Sequence, residues 1–351
     1  VLSFIAERAA EDAPALVRPG GEQMTYGTLA MAAAAVRQAL EARVGDVARR
    51  VVGVAVEDAA GFVAAVLAVL DAGGVVMPLD VSRGVAALQA DAERARALAV
   101  IVGDASEDRL DVVAGDASRR ELDVEACLLL EAAGGARAVH SRRSLGIGVD
   151  AVVAQLGLSA TSRVPLLGKP TDALLTATLP TLRAGGTLLS LQGLRVVDQA
   201  AGMARLGATL LTGAAASLAP IAVAATSSTI SAARSAGVAV KRVVVVGPVD
   251  TDESALLRRA FAGARVTRAV DAPEALRIAA ADTDPLRPLD GVRVRADDSD
   301  NDSDSRAALV HSPTMMMGYL DDPEATRVAL VERDGVRWVR VAVATEGLLV
   351  E

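Results

Sequence analysis

The residues of this chain that could do chemistry together lie in one stretch, Cys127–Leu145, CLLLEAAGGARAVHSRRSL. An apolar run, a glycine pair and a basic, serine-bearing tail have the layout of a strand, a loop and a helix entry. That arrangement lets backbone N–H groups wrap a phosphate. The hydroxyls and the lysine that such a loop normally adds are missing from it.

Other chemically suggestive residues are scattered. Gly146-Ile-Gly148-Val-Asp-Ala151 fits the G-x-G-x-x-A dinucleotide pattern, with Asp172 following at about the twenty-residue spacing that pattern wants. The pattern belongs directly after a strand, whereas Arg142-Arg-Ser144 precedes it here, so a redox dinucleotide enzyme is a minor reading. His140–Ser141 and His311–Ser312 are adjacent pairs whose side chains would point to opposite faces of a strand, with no orienting acid in view. The run Asp297–Asp304 is a solvated hairpin tip by composition. As a calcium loop it lacks the glycine and the distal glutamate, at Ser303 and Leu309. Met315–Met317 reads as core filling before it reads as an acyl pocket.

Composition narrows the field further. The chain has 351 residues, 52% hydrophobic and only 2% aromatic, so its core is built from Ala, Val and Leu. That suits packed α/β layers. A net charge of −8 argues against a nucleic-acid binder and against a basic membrane-surface protein. Cys127 is the only cysteine, which excludes a disulfide framework and a thiolate metal cluster and suits a reducing cytoplasm. Lys169 and Lys241 are the only lysines, leaving few candidates for a catalytic amine. No apolar stretch reaches the roughly 18 residues of a membrane span, and the opening VLSFIAERAAEDAP has no signal-peptide layout.

The elements that must position these residues alternate between strand and helix. Val51–Val56 is a β-branched run of the buried parallel type, Ala59–Leu70 has helical spacing and stops at Gly73-Gly74, and Val75–Asp80 is the next strand. Helix is expected over Ala86–Ala97, from about Leu145 to Leu156 and over Asp172–Arg183. Strand is expected at Leu98–Val102, Leu122–Leu130, Thr187–Ser190, Ala208–Leu211 and Val243–Val246. This predicts an α/β fold of layered, mostly parallel sheets with helices over residues 1–284. From 285 to 351 the strands Val292–Arg295, Ala307–Val310 and Trp338–Val341 lack long intervening helices, predicting a small β-rich lobe.

Three landmarks carry a resemblance. Met24-Thr-Tyr26-Gly-Thr-Leu29 looks like "LTYxEL", Leu70–Asp80 is close to "LKAGGAYVPLD", and Gly318–Thr326 follows "GYLNRPELT". In this order and spacing they resemble the large N-terminal domain of the adenylate-forming (AMP-binding) superfamily, closest to the amino-acid adenylation domains of nonribosomal peptide synthetases. The resemblance implies an enzyme that joins a carboxylate to the α-phosphate of ATP, with magnesium, before transfer to a thiol. It also implies carrier-protein or other synthetase domains as partners. The family's smaller C-terminal lid domain, which carries a catalytic lysine, has no counterpart in these residues.

Against that pattern the nucleotide motifs are eroded. The family's "YTSGSTGxPKG" ends in a "SHRSL" that survives as Ser141-Arg-Arg-Ser-Leu145, but its hydroxyl-rich half falls on Leu128–Ala132 and its lysine on Ala136. Apolar side chains cannot hold a pyrophosphate during displacement. "NxYGPTE" falls on Arg268–Glu274, where only Glu274 survives, as a magnesium-side carboxylate by resemblance or as a helix-terminal acid by itself. "TGD" falls on Val341-Ala-Val343, which removes the ribose contact. The aspartate of "FDxS", partner of the substrate amino group, falls on Asp172, which would otherwise be read as a helix N-cap. The expected function is therefore a non-catalytic, adenylation-type structural or docking domain of natural-product assembly, with no catalytic residue and no cofactor. The alternative is a divergent active enzyme using ATP and Mg.

Overall fold

A helix with no polar face must be buried on every side. Ala59–Asp71, AAGFVAAVLAVLD, is such a helix, and every residue from Ala59 to Leu70 is buried. The computed structural model of the chain describes residues 7–8, 12–104, 109–115, 121–225, 240–282, 285–297 and 307–342. Within it, one face of this helix, with Phe62, Val66 and Val69, packs on Val52, Val54 and Ile101. The other, with Ala60, Val63 and Leu67, packs beside Leu16, Val164 and Leu188. The helix is thus the filling between two sheets.

The first of these sheets has seven strands in the order Gly318–Tyr319, Arg137–Ser141, Ala126–Glu131, Val75–Pro78, Val51–Val56, Ala99–Asp104 and Arg109–Ala114. Its centre is parallel, and its outer pairings are antiparallel. The second runs Gln23–Thr25, Pro14–Val17, Thr187–Ser190 and Arg163–Leu166, parallel apart from its first pairing. A third sheet, Leu210–Ala214, Arg242–Val246, Arg265–Ala272, Leu276–Ala281 and Arg287–Pro288, begins parallel and ends antiparallel. Buried β-branched runs such as Val243–Val245 lie at the parallel centres, where both faces are covered.

The fourth sheet is wholly antiparallel, in the order Arg293–Ala296, Ala307–His311, Val336–Ala342 and Leu330–Arg333. Its inner face, Val294, Ala308, Val310, Val339 and Val341, shares a core with Ile278 and Ala279 of the third sheet. Arg287–Pro288, past residue 285, still pairs with Leu276–Ala281. Asp297 is not a solvated tip residue. Its carboxylate is fully buried and takes Arg333 at 3.1 Å and Arg340 at 2.5 Å. Residues 298–304 of that acidic run lie outside the described residues.

The landmark motifs serve as fold hardware. Thr25 caps the helix Tyr26–Val44 by accepting from Thr28 N at 3.1 Å. The Tyr26 hydroxyl, fully buried, donates to Gly186 O at 2.7 Å. Gly74 is held to glycine by packing, since a Cβ there would stand 2.9 Å from both Val47 Cγ1 and Val69 Cγ1. In Gly318–Thr326, Asp322 caps the helix Pro323–Ala329 and Thr326 Oγ1 accepts from Tyr319 N at 2.8 Å.

Candidate functional site

The glycine loop is a hairpin tip. The strand Ala126–Glu131 turns through Ala133–Gly135, where Gly134 and Gly135 have φ of 73° and 80°, and returns as the strand Arg137–Ser141. Sequence reasoning placed a helix entry directly after the loop and missed this return strand. RAVHS is too short and too polar at its ends to signal a strand, and its antiparallel partner supplies the missing preference. The helix Arg142–Leu156 therefore starts one strand away from the glycines, and its N–H groups do not face them.

The surviving tail of the motif is engaged elsewhere. Ser141 caps that helix by accepting from Ser144 N at 3.0 Å. Arg142 donates to Leu70 O at 3.0 Å and to Gly74 O at 3.4 Å, closing the C-terminal end of the buried helix. Gly146 and Gly148 sit inside Arg142–Leu156 and not in a strand-to-helix turn, so the dinucleotide pattern has no dinucleotide geometry. Gly148 allows a close approach instead: a Cβ there would lie 2.7 Å from Leu276 Cδ1.

A cleft of about 500 Å³ opens beside the hairpin. Leu129, Leu130 and Glu131 of the hairpin line it, with Asp172 on a second wall and Asp271 to Pro273 on a third. Three stretches singled out in the sequence thus meet at one place. Asp172 does not cap a helix; it lies in the first turn of Pro170–Ala173, whose N-cap is Lys169. Thr171 Oγ1 donates to its carboxylate at 3.3 Å. The expected helix Asp172–Arg183 is broken by a π turn at Leu174–Thr178, because Pro180 offers no N–H and crowds the preceding turn.

The third wall is a turn whose backbone is pinned at three successive carbonyls. His140 Nε2 donates to Pro273 O at 2.5 Å, Met316 N to Glu274 O at 2.7 Å, and Thr314 Oγ1 to Ala275 O at 2.6 Å. His140 is fully buried, and burial pushes its pKa down to about 4, partly offset by that hydrogen bond. Its ring is therefore neutral at pH 7 and serves as a strut. Glu274 is 6% exposed, and its Oε1 accepts from the Tyr319 hydroxyl at 3.0 Å. Burial, and then Glu274 itself, push the Tyr319 pKa up, so the phenol stays a donor. One oxygen of the Glu274 carboxylate is thus held by Tyr319, and the described residues contain no group of three His, Cys, Asp or Glu that could hold a metal ion.

Asp271, where the resemblance has a glycine, forms a two-pronged ion pair with Arg277 in the cleft. The Arg277 side chain is 1% exposed and also donates to Gln155 Oε1 at 2.7 Å. Arg83 is a second basic residue of the lining, reaching Asp91 at 2.7 Å and Glu131 at 3.4 Å. Sequence reasoning missed both arginines, since they lie outside every motif and only the fold brings them in. Cys127 lies behind the hairpin, fully buried, and burial pushes its thiol up to about 12, so it is no nucleophile. Of the stretch aligned with the ribose contact, Val341 is 1% exposed in the small sheet, and Val343 lies outside the described residues.

The sequence model of the AMP-binding enzyme family matches residues 5–145. No curated protein sequence matches the chain significantly. Among solved structures, the AMPPNP-bound form of the nonribosomal peptide synthetase FmoA3 superposes with a TM-score of 0.79 at 21% identity. That match covers 97% of this chain and 40% of FmoA3. CmiS6 gives 0.77 at 20% identity, covering 96% of this chain and 92% of its own. The four-domain synthetase AB3403, bound to AMP and glycine, gives 0.79 at 16% identity over 99% of this chain and 28% of its own. Such identities establish the fold, and this chain spans well under half of either synthetase. The AMP-binding enzyme family is thus matched by residues 5–145, and the chain as a whole has the fold shared by these solved structures.

Proposed function

We propose that this chain is a non-catalytic, adenylation-type domain that serves as a structural or docking element in nonribosomal peptide or polyketide biosynthesis. Carrier-protein or other synthetase domains are its partners, in the cytoplasm, without nucleic acid or membrane. One contrast carries this reading. Motif residues that hold the fold are kept and bonded, as at Thr25, Tyr26, Ser141 and Thr326. Positions that would grip a nucleotide carry leucine, alanine or an internal ion pair, as at Leu129, Leu130, Ala136 and Asp271. Selection on a scaffold preserves the first set and ignores the second. Neither a catalytic residue nor a cofactor belongs to this reading.

The alternative is a divergent enzyme that activates an amino or other carboxylic acid with ATP and Mg. The observation favouring it is Asp172, a carboxylate on the cleft wall suited to a substrate ammonium. Pyrophosphate exchange with a panel of amino, keto and aryl acids, with and without neighbouring synthetase domains, separates the two. We expect no exchange, and no rise in Tm on titrating ATP or AMP, because a ligand that binds the native state must raise its apparent stability. Exchange by the isolated chain overturns the proposal.

A further inference from the structure

The short 3-10 turn Val81–Arg83 stands between two clefts. Asp80 and Arg83 border the 500 Å³ cleft, and Asp80 to Ser82 also border a second of about 490 Å³ at the carboxyl ends of Val51–Val56 and Thr187–Ser190. Asp80 caps the turn, accepting from Ser82 N at 3.0 Å and Ser82 Oγ at 2.7 Å. The same carboxylate takes Lys169 Nζ at 2.5 Å, from the wall that carries Asp172. Burial pulls the Asp80 carboxyl up, but the bonds from Lys169 and Ser82 outweigh it and hold the group below its usual range.

At its other end the turn is tied to the glycine hairpin. Arg83 and Arg137 each bridge Asp91 and Glu131, Arg137 at 3.3 Å to both, and Arg94 adds a looser contact to Asp91 at 3.7 Å. Asp91 is 2% exposed and Arg137 7%, whereas Lys169 is 50% and Glu131 48% exposed. The centre of this network is shielded and its outer ties face solvent.

We infer that Asp80–Arg94 is an ionic strap that sets the width of the cleft mouth. Asp91 and Arg137 are its fixed anchor. Lys169–Asp80 on one wall, and the contacts of the exposed Glu131 to Arg83 and Arg137 on the other, are its releasable ends. Salt screens exposed pairs over a Debye length that shrinks from about 10 Å at 0.1 M to about 3 Å at 1 M, and screens buried pairs far less. Raising ionic strength therefore frees the two walls while the anchor and the core stay shut. This holds whether or not the cleft binds a ligand.

Hydrogen exchange of the full chain, followed by mass spectrometry at low and at molar sodium chloride, tests it. We expect exchange in 167–176 and 130–136 to rise severalfold with salt, while Val51–Val56 is unchanged. Lys169→Met should reproduce the rise in 167–176 at low salt and remove its further salt dependence. Glu131→Gln should do the same for 130–136, and it serves independently if the first variant folds poorly. Equal exchange at both salt concentrations overturns the strap. So does a rise shared equally by Val51–Val56, which signals loosening of the whole chain.

Discussion

Asp271 and Arg277 place an internal ion pair inside the cleft. A carboxylate where the related pattern has glycine captures a guanidinium that is 1% exposed, and the pair occupies part of the cleft. Removing one partner leaves the other charge buried, so Asp271→Leu should cost about 3 kcal/mol in urea unfolding, while the double variant Asp271→Leu, Arg277→Met should recover much of that loss. His140 makes a separate claim about pH. Its folded pKa of about 4 lies below its ordinary 6.5, so the unfolded state binds the proton first as pH falls. The stability it contributes is complete above pH 6.5 and is lost down to pH 4, by about 2 kcal/mol between pH 6.5 and pH 5. His140→Gln should flatten the unfolding midpoint across that interval, and an unchanged slope would count against the buried neutral ring.

At the scale of elements, the retained motifs act as ties between secondary structures. Arg142 closes the end of a helix that lies more than seventy residues earlier, at Leu70 O and Gly74 O. Arg142→Leu should cost about 2 kcal/mol, the worth of charged hydrogen bonds to buried carbonyls, and should raise hydrogen exchange at the last turn of Ala59–Asp71 first. Most elements were legible in the sequence because their period was. Val51–Val56 and Ala59–Asp71 announce themselves by an unbroken apolar run and an unbroken apolar helix. Arg137–Ser141 did not, since its strand character comes from pairing with Ala126–Glu131, and the π turn at Leu174–Thr178 depends on how one proline is accommodated. The site was half legible: Asp172 and Glu274 could be aligned, but the burial of Glu274 against Tyr319 and the arrival of Arg83 and Arg277 are tertiary events.

For the whole molecule, the helix Ala59–Leu70 belongs to two cores at once, one under the seven-stranded sheet and one under the four-stranded sheet that begins with Gln23–Thr25. Neither layer owns it. A lesion that parted them would uncover a greasy column on both halves together, so the chain has no gentle way to lose one layer and keep the other. The clefts are the seams of this sandwich, shaped by the same packing. Their outline is therefore fixed by that packing, because erasing the hollow would mean dismantling the walls.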